Sequence, residues 1–277
     1  MYRIGLHELL KTGAEQLLEV LEKIKIYVLN GCSSIRRCLA GFRKKSNRGD
    51  ITALHESIDQ VEERLLESEE VAWQRSRMRW RQSGPDTHLT WRRDVTGDNF
   101  ISTVSSYNVF SNETTVLEIG PGYGRLLKAC LQQRIRFKSY VGVDISPKNV
   151  KYLRESFASA DVRFVHGDIE NVSFDARFDV VVSSLTFKHL FPSFEKVLRN
   201  VANYVNPGGI VFFDLVEGNG SNWENDGVTY IRHYTRPEIL EILGNVSLEL
   251  VAFDQVRHDP DHPRLLVVAR KPSSLRS

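Results

Sequence analysis

Val116-Leu117-Glu118-Ile119-Gly120-Pro121-Gly122-Tyr123-Gly124-Arg125 is the stretch from which the rest of the chain is read. A short apolar run carrying one acid passes into a G-x-G-x-G turn, and an amphipathic segment begins at Arg125. A strand that ends in such a turn and feeds a helix brings backbone N–H groups close to a ligand at the helix N-terminus. The spacing differs from the G-x-G-x-x-G of dinucleotide-binding turns, which argues against a nicotinamide-dependent dehydrogenase.

Outward from this turn, apolar runs at 115–119, 139–143, 162–165, 178–183, 209–215, 247–255 and 264–270 read as strands. Amphipathic stretches near 123–134, 147–158, 193–205 and 235–243 read as helices. Alternating strands and helices predict a mostly parallel, seven-stranded α/β sheet with helices on both faces. The final two strands are joined by so short a link that the last must run antiparallel.

The strand ends after the first carry chemistry too. Val141-Gly142-Val143-Asp144 puts a carboxylate at the second tip, 20 residues after Gly124, where an acid suits a ribose diol. His166-Gly167-Asp168-Ile169 puts another at the third, able to accept from an adenine amino group. Phe178-Asp179-Val180-Val181-Val182-Ser183-Ser184-Leu185 forms the fourth, and Val205-Asn206-Pro207-Gly208-Gly209 turns into the fifth, which ends at Asp214.

With these motifs in their order, residues 90–271 resemble the class I S-adenosylmethionine-dependent methyltransferases, whose fold is Rossmann-like. The resemblance implies S-adenosylmethionine as cofactor, with Glu118, Gly120, Gly122 and Gly124 around its methionine part and Ser183 beside the amino group. It also implies that Asp144 with Ile145 holds the ribose, and Asp168 with Ile169 the adenine.

The acceptor end rests on fewer residues. Methyl transfer to a hydroxyl needs alignment and removal of a proton. Thr186-Phe187-Lys188-His189-Leu190 after the fourth strand and Asp214 after the fifth supply candidate bases. The arrangement is similar to sugar O-methyltransferases, which carry a His-His pair and an Asp at these places. Here Lys188 replaces the first histidine, and a lysine must lose a proton of pKa ~10.4 to act as base. It can position an anionic acceptor instead, leaving His189 or Asp214. Tyr230, Arg232 and His233, with Tyr234, are candidates to line the acceptor pocket, and Trp91 with a Gly97-Asp98-Asn99 turn to cover the cofactor. His258, Asp259, Asp261 and His262 read as an exposed turn rather than a metal centre, so no metal ligand is assigned. Trp73, Arg75, Arg77, Met78, Arg79, Trp80 and Arg81 share helix faces, and a solvated face with two buried tryptophans is the plain reading.

The expected organisation is a helical extension over 1–82 and a methyltransferase domain over 83–277. Helices are predicted over 6–29, about 33–44, and 50–82, serving dimerisation, a lid or a surface contact. Of 277 residues, 41% are hydrophobic and 26% charged, an ordinary globular composition that excludes wholesale disorder. A net charge of +2 argues against a nucleic-acid-binding polycation. The basic stretch 31–48 fits a peripheral contact with anionic lipid. Three cysteines, Cys32, Cys38 and Cys130, make no disulfide framework, and with no signal-peptide pattern or apolar span a cytoplasmic location is expected. The functional expectation is O-methylation of a sugar, glycan, glycolipid or natural-product hydroxyl. The rivals are transfer to an amine or phenol, nucleic-acid methylation, and a non-catalytic cofactor-binding scaffold.

Overall fold

The computed structural model describes residues 70–71, 73–86, 97–223, 229–256 and 264–273. The chain divides into two compact units, Met1–Glu69 with Asn219–Asn222 and Glu70–Gly218 with Trp223–Ser277. Of the first, only 219–222 are described, so the helices expected over 6–29, 33–44 and 50–69, and the basic stretch 31–48, lie outside the described residues. Trp91, Cys32, Cys38 and the 258–262 cluster do too.

The second unit opens with helix α1, 73–82, in agreement with the expected end of the long helix. There follow α2 (Asp98–Ser105), β1 (Thr115–Ile119), α3 (Arg125–Gln132), β2 (Ser139–Asp144), α4 (Pro147–Phe157), β3 (Val162–His166) and β4 (Phe178–Ser183). A 3-10 turn at Phe187–His189 leads to α5 (Glu195–Tyr204), β5 (Val205–Glu217), β6 (Ser221–Trp223), β7 (Tyr230–Tyr234), α6 (Arg236–Asn245), β8 (Glu249–Val256) and β9 (Arg264–Arg270). Strands β3-β2-β1-β4-β5 lie side by side. All are parallel, with Leu117 opposite Val141 on one side and Val181 on the other. β9 runs antiparallel to β5, and β8 antiparallel to β9.

Alternation along each strand sorts side chains to two cores. Leu117, Ile119, Val181, Val211 and Phe213 meet α5 and α6 through Phe194, Leu198, Val201 and Ile239. Val116, Val180, Val182 and Phe212 meet α2, α3 and α4 through Phe100, Val104, Leu126, Leu127 and Leu153. Central strands covered on both faces read as nearly unbroken apolar runs, which is why they were visible in the sequence. Ser146 caps α4 by accepting the Asn149 N–H at 3.2 Å, with Pro147 opening the helix.

Three elements differ from expectation, one of them β6, a short strand beyond the seven predicted. Gly97-Asp98-Asn99 is not a turn but the start of α2, with Gly97 as N-cap and Asp98 in the first turn. Any side chain at Gly97 would strike the Arg125 carbonyl, so the helix begins where the chain must pass α3 closely. Tyr230–Tyr234, given no element in the sequence reading, is a strand parallel to the far end of β5 through Val216–His233 and Glu217–Tyr234.

Candidate active site

The parallel strands all end on one edge of the sheet, and the turns there surround a single pocket. Gly120 to Tyr123 of the G-x-G-x-G turn border it, whereas Gly124 stands behind the wall, packed against Leu153 and Phe157. Gly120, Gly122 and Gly124 all have positive φ, at 69°, 58° and 84°, a region glycine enters without strain. A Cβ on Gly120 would be driven into the Thr186 side chain, so the β1 and β4 turns approach to a distance only glycine permits. Glu118, Gly120, Gly122, Asp144, Ile145, Asp168 and Ile169 all border the pocket, as does Arg125.

Burial governs the two inner acids. Glu118 is 2% exposed and accepts a hydrogen bond from the Tyr140 hydroxyl. Loss of solvent pushes its carboxyl up to about 7 despite the Tyr140 hydrogen bond and the nearby Arg125 charge. Asp144 accepts the N–H of Gly122 at 2.9 Å and of Ser146 at 2.8 Å. Desolvation outweighs these bonds and raises it to about 6. Asp168, at the third tip, is ion-paired with Arg77 of α1, with Arg81 at 3.7 Å.

Helix α1 roofs the pocket. Trp73, Arg77 and Trp80 fall on one face at three- and four-residue spacing, and all three line the cavity together with Ser83. The roof is tied down at both ends: Trp73 Nε1 donates to the His189 carbonyl at 3.1 Å, and Ser146 Oγ donates to the Ser83 carbonyl at 2.6 Å. Between them, the Tyr230 N–H donates to Ser76 Oγ at 3.2 Å.

The candidate bases separate. His189 lines the pocket, 5.0 Å from Trp80 ring to ring, and its Nδ1 lies 2.7 Å from the Tyr230 carbonyl oxygen. A carbonyl only accepts, so Nδ1 carries the hydrogen and, in the neutral ring, Nε2 carries the lone pair. Asp214 is 1% exposed and does not border the pocket. Its oxygens accept from Ser184 Oγ at 2.7 Å, Leu185 N–H at 2.6 Å and Arg264 Nη1 at 2.5 Å. Its carboxylate is therefore spent on holding the β4 turn. Lys188 is not in the pocket wall; its charge and, more strongly, burial lower the pKa of His233.

Other expected residues stand behind the wall. Ser183 donates to the Ile119 carbonyl at 3.1 Å, and the next residue, Ser184, borders the pocket instead. Tyr230 is fully buried and acts on the site through its backbone. Arg232 pairs with Glu238 and lies over the Tyr234 ring, and neither it nor His233 borders the pocket. Ser184, Thr186, Arg125 and Arg264 were not singled out from the sequence. Arg264 opens β9, whose Leu266 pairs with Asp214, so only the strand register reveals it. Among the described residues no three His, Cys, Asp or Glu side chains form a metal cluster, and no helix is long and apolar enough to cross a membrane.

Residues 117–213 match the family model described as a methyltransferase domain. Over this stretch the chain is similar to methyltransferase domains. It is 32% identical over 114 residues to the phthiotriol/phenolphthiotriol dimycocerosates methyltransferase of Mycobacterium leprae, covering 40% of this chain and 42% of that protein. It is 32% identical over 99 residues to the fatty-acid O-methyltransferase of Mycolicibacterium smegmatis, covering 35% of each. The aligned part thus spans less than half the length of these relatives. In fold the methyltransferase domain is similar to a 1,6-didemethyltoxoflavin-N1-methyltransferase of Burkholderia thailandensis solved with S-adenosylhomocysteine. That likeness has a TM-score of 0.56 at 21% identity, covering 74% of this chain and 90% of the other.

Proposed function

We propose that this chain is an S-adenosylmethionine-dependent O-methyltransferase acting on a hydroxyl of a largely apolar acceptor, a glycolipid, lipid or natural product, with His189 as the base. The residues present suit the cofactor. The backbone cradle at Gly120 and Gly122, with Glu118 beneath it, suits the methionine part; Asp144 and Ile145 suit the ribose, and Asp168 and Ile169 the adenine. When bound, S-adenosylmethionine supplies a methyl group on a sulfonium for in-line displacement.

The chain's own contribution is placement, dryness and proton removal. The observation that carries the reading is the 2.7 Å contact from His189 Nδ1 to the Tyr230 carbonyl. It orients the ring and leaves Nε2 as the acceptor of a hydroxyl proton. Asp214 acts at one remove, holding Ser184 and Leu185 at the pocket edge. Helix α1 excludes water above them.

The acceptor class follows from the walls. Trp73, Trp80, Ile119, Leu185 and Leu190 line the same pocket as His189, a broadly apolar share of the wall that suits an apolar acceptor better than a bare sugar. An apolar body with one buried hydroxyl fits better. Relatives named for dimycocerosates and for fatty acids agree with a long apolar acceptor.

The test is methyl transfer from S-adenosylmethionine carrying a labelled methyl group, using the full chain and matched panels of lipid alcohols, fatty acids, phenols, amines and free sugars. Label entering lipid alcohols, and lost from them in His189→Gln, supports the reading. Transfer only to free sugars overturns the acceptor class, and transfer unaffected by His189→Gln overturns the base.

A further inference from the structure

The roof helix α1 reaches both ends of the pocket, and one of its side chains joins them. Arg77 Nη2 is ion-paired with Asp168 at the β3 tip, the end assigned to adenine. The same guanidinium lies over the Trp73 ring, 4.9 Å from its centroid. Trp73 in turn donates its indole N–H to the His189 carbonyl at 3.1 Å and packs its ring 5.8 Å from that of Phe191. Three contacts therefore lead from an acid on the cofactor side to the backbone of the proposed base on the acceptor side.

Arginine is the residue type that can make the first two contacts together. Its N–H groups lie in the guanidinium plane and meet a carboxylate edge-on, which leaves the face of the plane to stack on an indole. The Arg77 and Asp168 side chains are 20% and 18% exposed, whereas Arg81, 3.7 Å from the same oxygen, is 47% exposed. Solvent and salt screen a sheltered pair less than an exposed one, so Arg77 is the stronger of the two links. A carboxylate has about four acceptor sites on its two oxygens. Asp168 therefore has room for Arg77 and for a ligand amino group at once.

We infer that Arg77 is a positioning residue for the acceptor: it uses the Asp168 carboxylate, at the adenine end, to hold Trp73 and the roof in place over His189. The inference rests on the proposed function for which end of the pocket takes the acceptor. Asp168 then serves both ends, and loss of its charge is felt where the acceptor binds.

The experiment removes the pair from either side in the full chain, with Arg77→Met, Asp168→Asn and the double variant. The first readout, amide hydrogen exchange over 73–83, needs no ligand. Either single variant should speed exchange there about 10-fold, the scale of one lost charged hydrogen bond, and leave α3 unchanged. The double variant should be no faster than Arg77→Met, because both substitutions remove one interaction. The second readout is methyl transfer to 1-decanol at saturating S-adenosylmethionine. Either variant should raise the KM for the alcohol about 10-fold with kcat nearly unchanged, the sign of a less populated binding-competent roof. Arg77→Lys, which keeps the charge, should recover part of both effects. An acid that only held adenine would raise the KM for S-adenosylmethionine and leave the KM for the alcohol and the exchange of α1 alone. That pattern, or additive effects in the double variant, overturns the inference. Should Arg77→Met not fold, Asp168→Asn breaks the same pair, and unchanged exchange over 73–83 in that variant overturns the inference by itself. A wild-type chain that transfers no methyl group to 1-decanol or any other lipid alcohol counts against the proposed function, while the exchange result still decides the role of Arg77.

Discussion

The Asp214 carboxylate accepts the backbone N–H of Leu185 at 2.6 Å, and Leu185 has a φ of 62°. A branched residue in the left-handed region costs about 1–3 kcal/mol and persists only where its surroundings hold it. Asp214 supplies that hold and anchors Arg264 with the same group. Asp214→Asn leaves Arg264 without its charge partner and should cost about 3 kcal/mol of stability in urea denaturation. Cofactor affinity should fall with it, because the turn forms the pocket edge. Full stability and full cofactor binding with turnover alone lost would instead mark Asp214 as the base.

His189→Gln keeps a side chain of similar reach beneath Trp80 and removes the imidazole lone pair. Turnover on a hydroxyl acceptor should drop roughly 100- to 10,000-fold, the usual share of general-base catalysis. Binding of S-adenosylhomocysteine should remain, since none of the cofactor-end residues is altered. Steady-state kinetics beside calorimetry separates the two effects.

Gly120→Ala combines two penalties, a left-handed backbone costing about 1–2 kcal/mol for a non-glycine residue and a clash with Thr186. The single variant should be destabilised and bind cofactor poorly. Adding Thr186→Ala removes the clash but not the backbone term, so thermal unfolding should show partial recovery. Complete recovery would mean that sterics alone select glycine there.

Glu118 and Asp144, pushed up to about 7 and about 6 by burial, give the site a pH dependence of definite sign. A carboxyl raised above its unfolded value holds more proton in the folded state, so stability falls as pH rises through that interval. Ligand binding runs the other way. Ribose hydroxyls and an ammonium both favour the ionised acids, so cofactor affinity should rise with pH through about 6 to 7. Calorimetry in buffers of differing ionisation enthalpy should detect proton release on binding; flat affinity from pH 5 to 8 would refute the assignment.

How much of this was readable in advance depended on distance along the chain. Glu118, Gly120, Gly122, Asp144 and Asp168 sit at strand tips, where local pattern gives element and position together. Ser183 differs from Ser184 by one residue, and in a strand that reverses the side-chain direction. α2 was hidden because Gly97-Asp98-Asn99 has turn chemistry while the helix is stabilised by burying Phe100, Ile101 and Val104. The roof was the least legible. Trp73 meets His189 across 116 residues and Ser76 meets Tyr230 across 154, and no local propensity encodes such pairings.

Trp73, Arg77, Trp80 and Ser83 all precede residue 117, where the family match begins. The ceiling of the pocket thus lies outside the stretch that matches the family, and its glycine-turn wall inside it. If the proposed function holds, exchange of Trp73 or Trp80 should alter which acceptor is taken, whereas exchange of Arg77 should also reach the adenine end through Asp168.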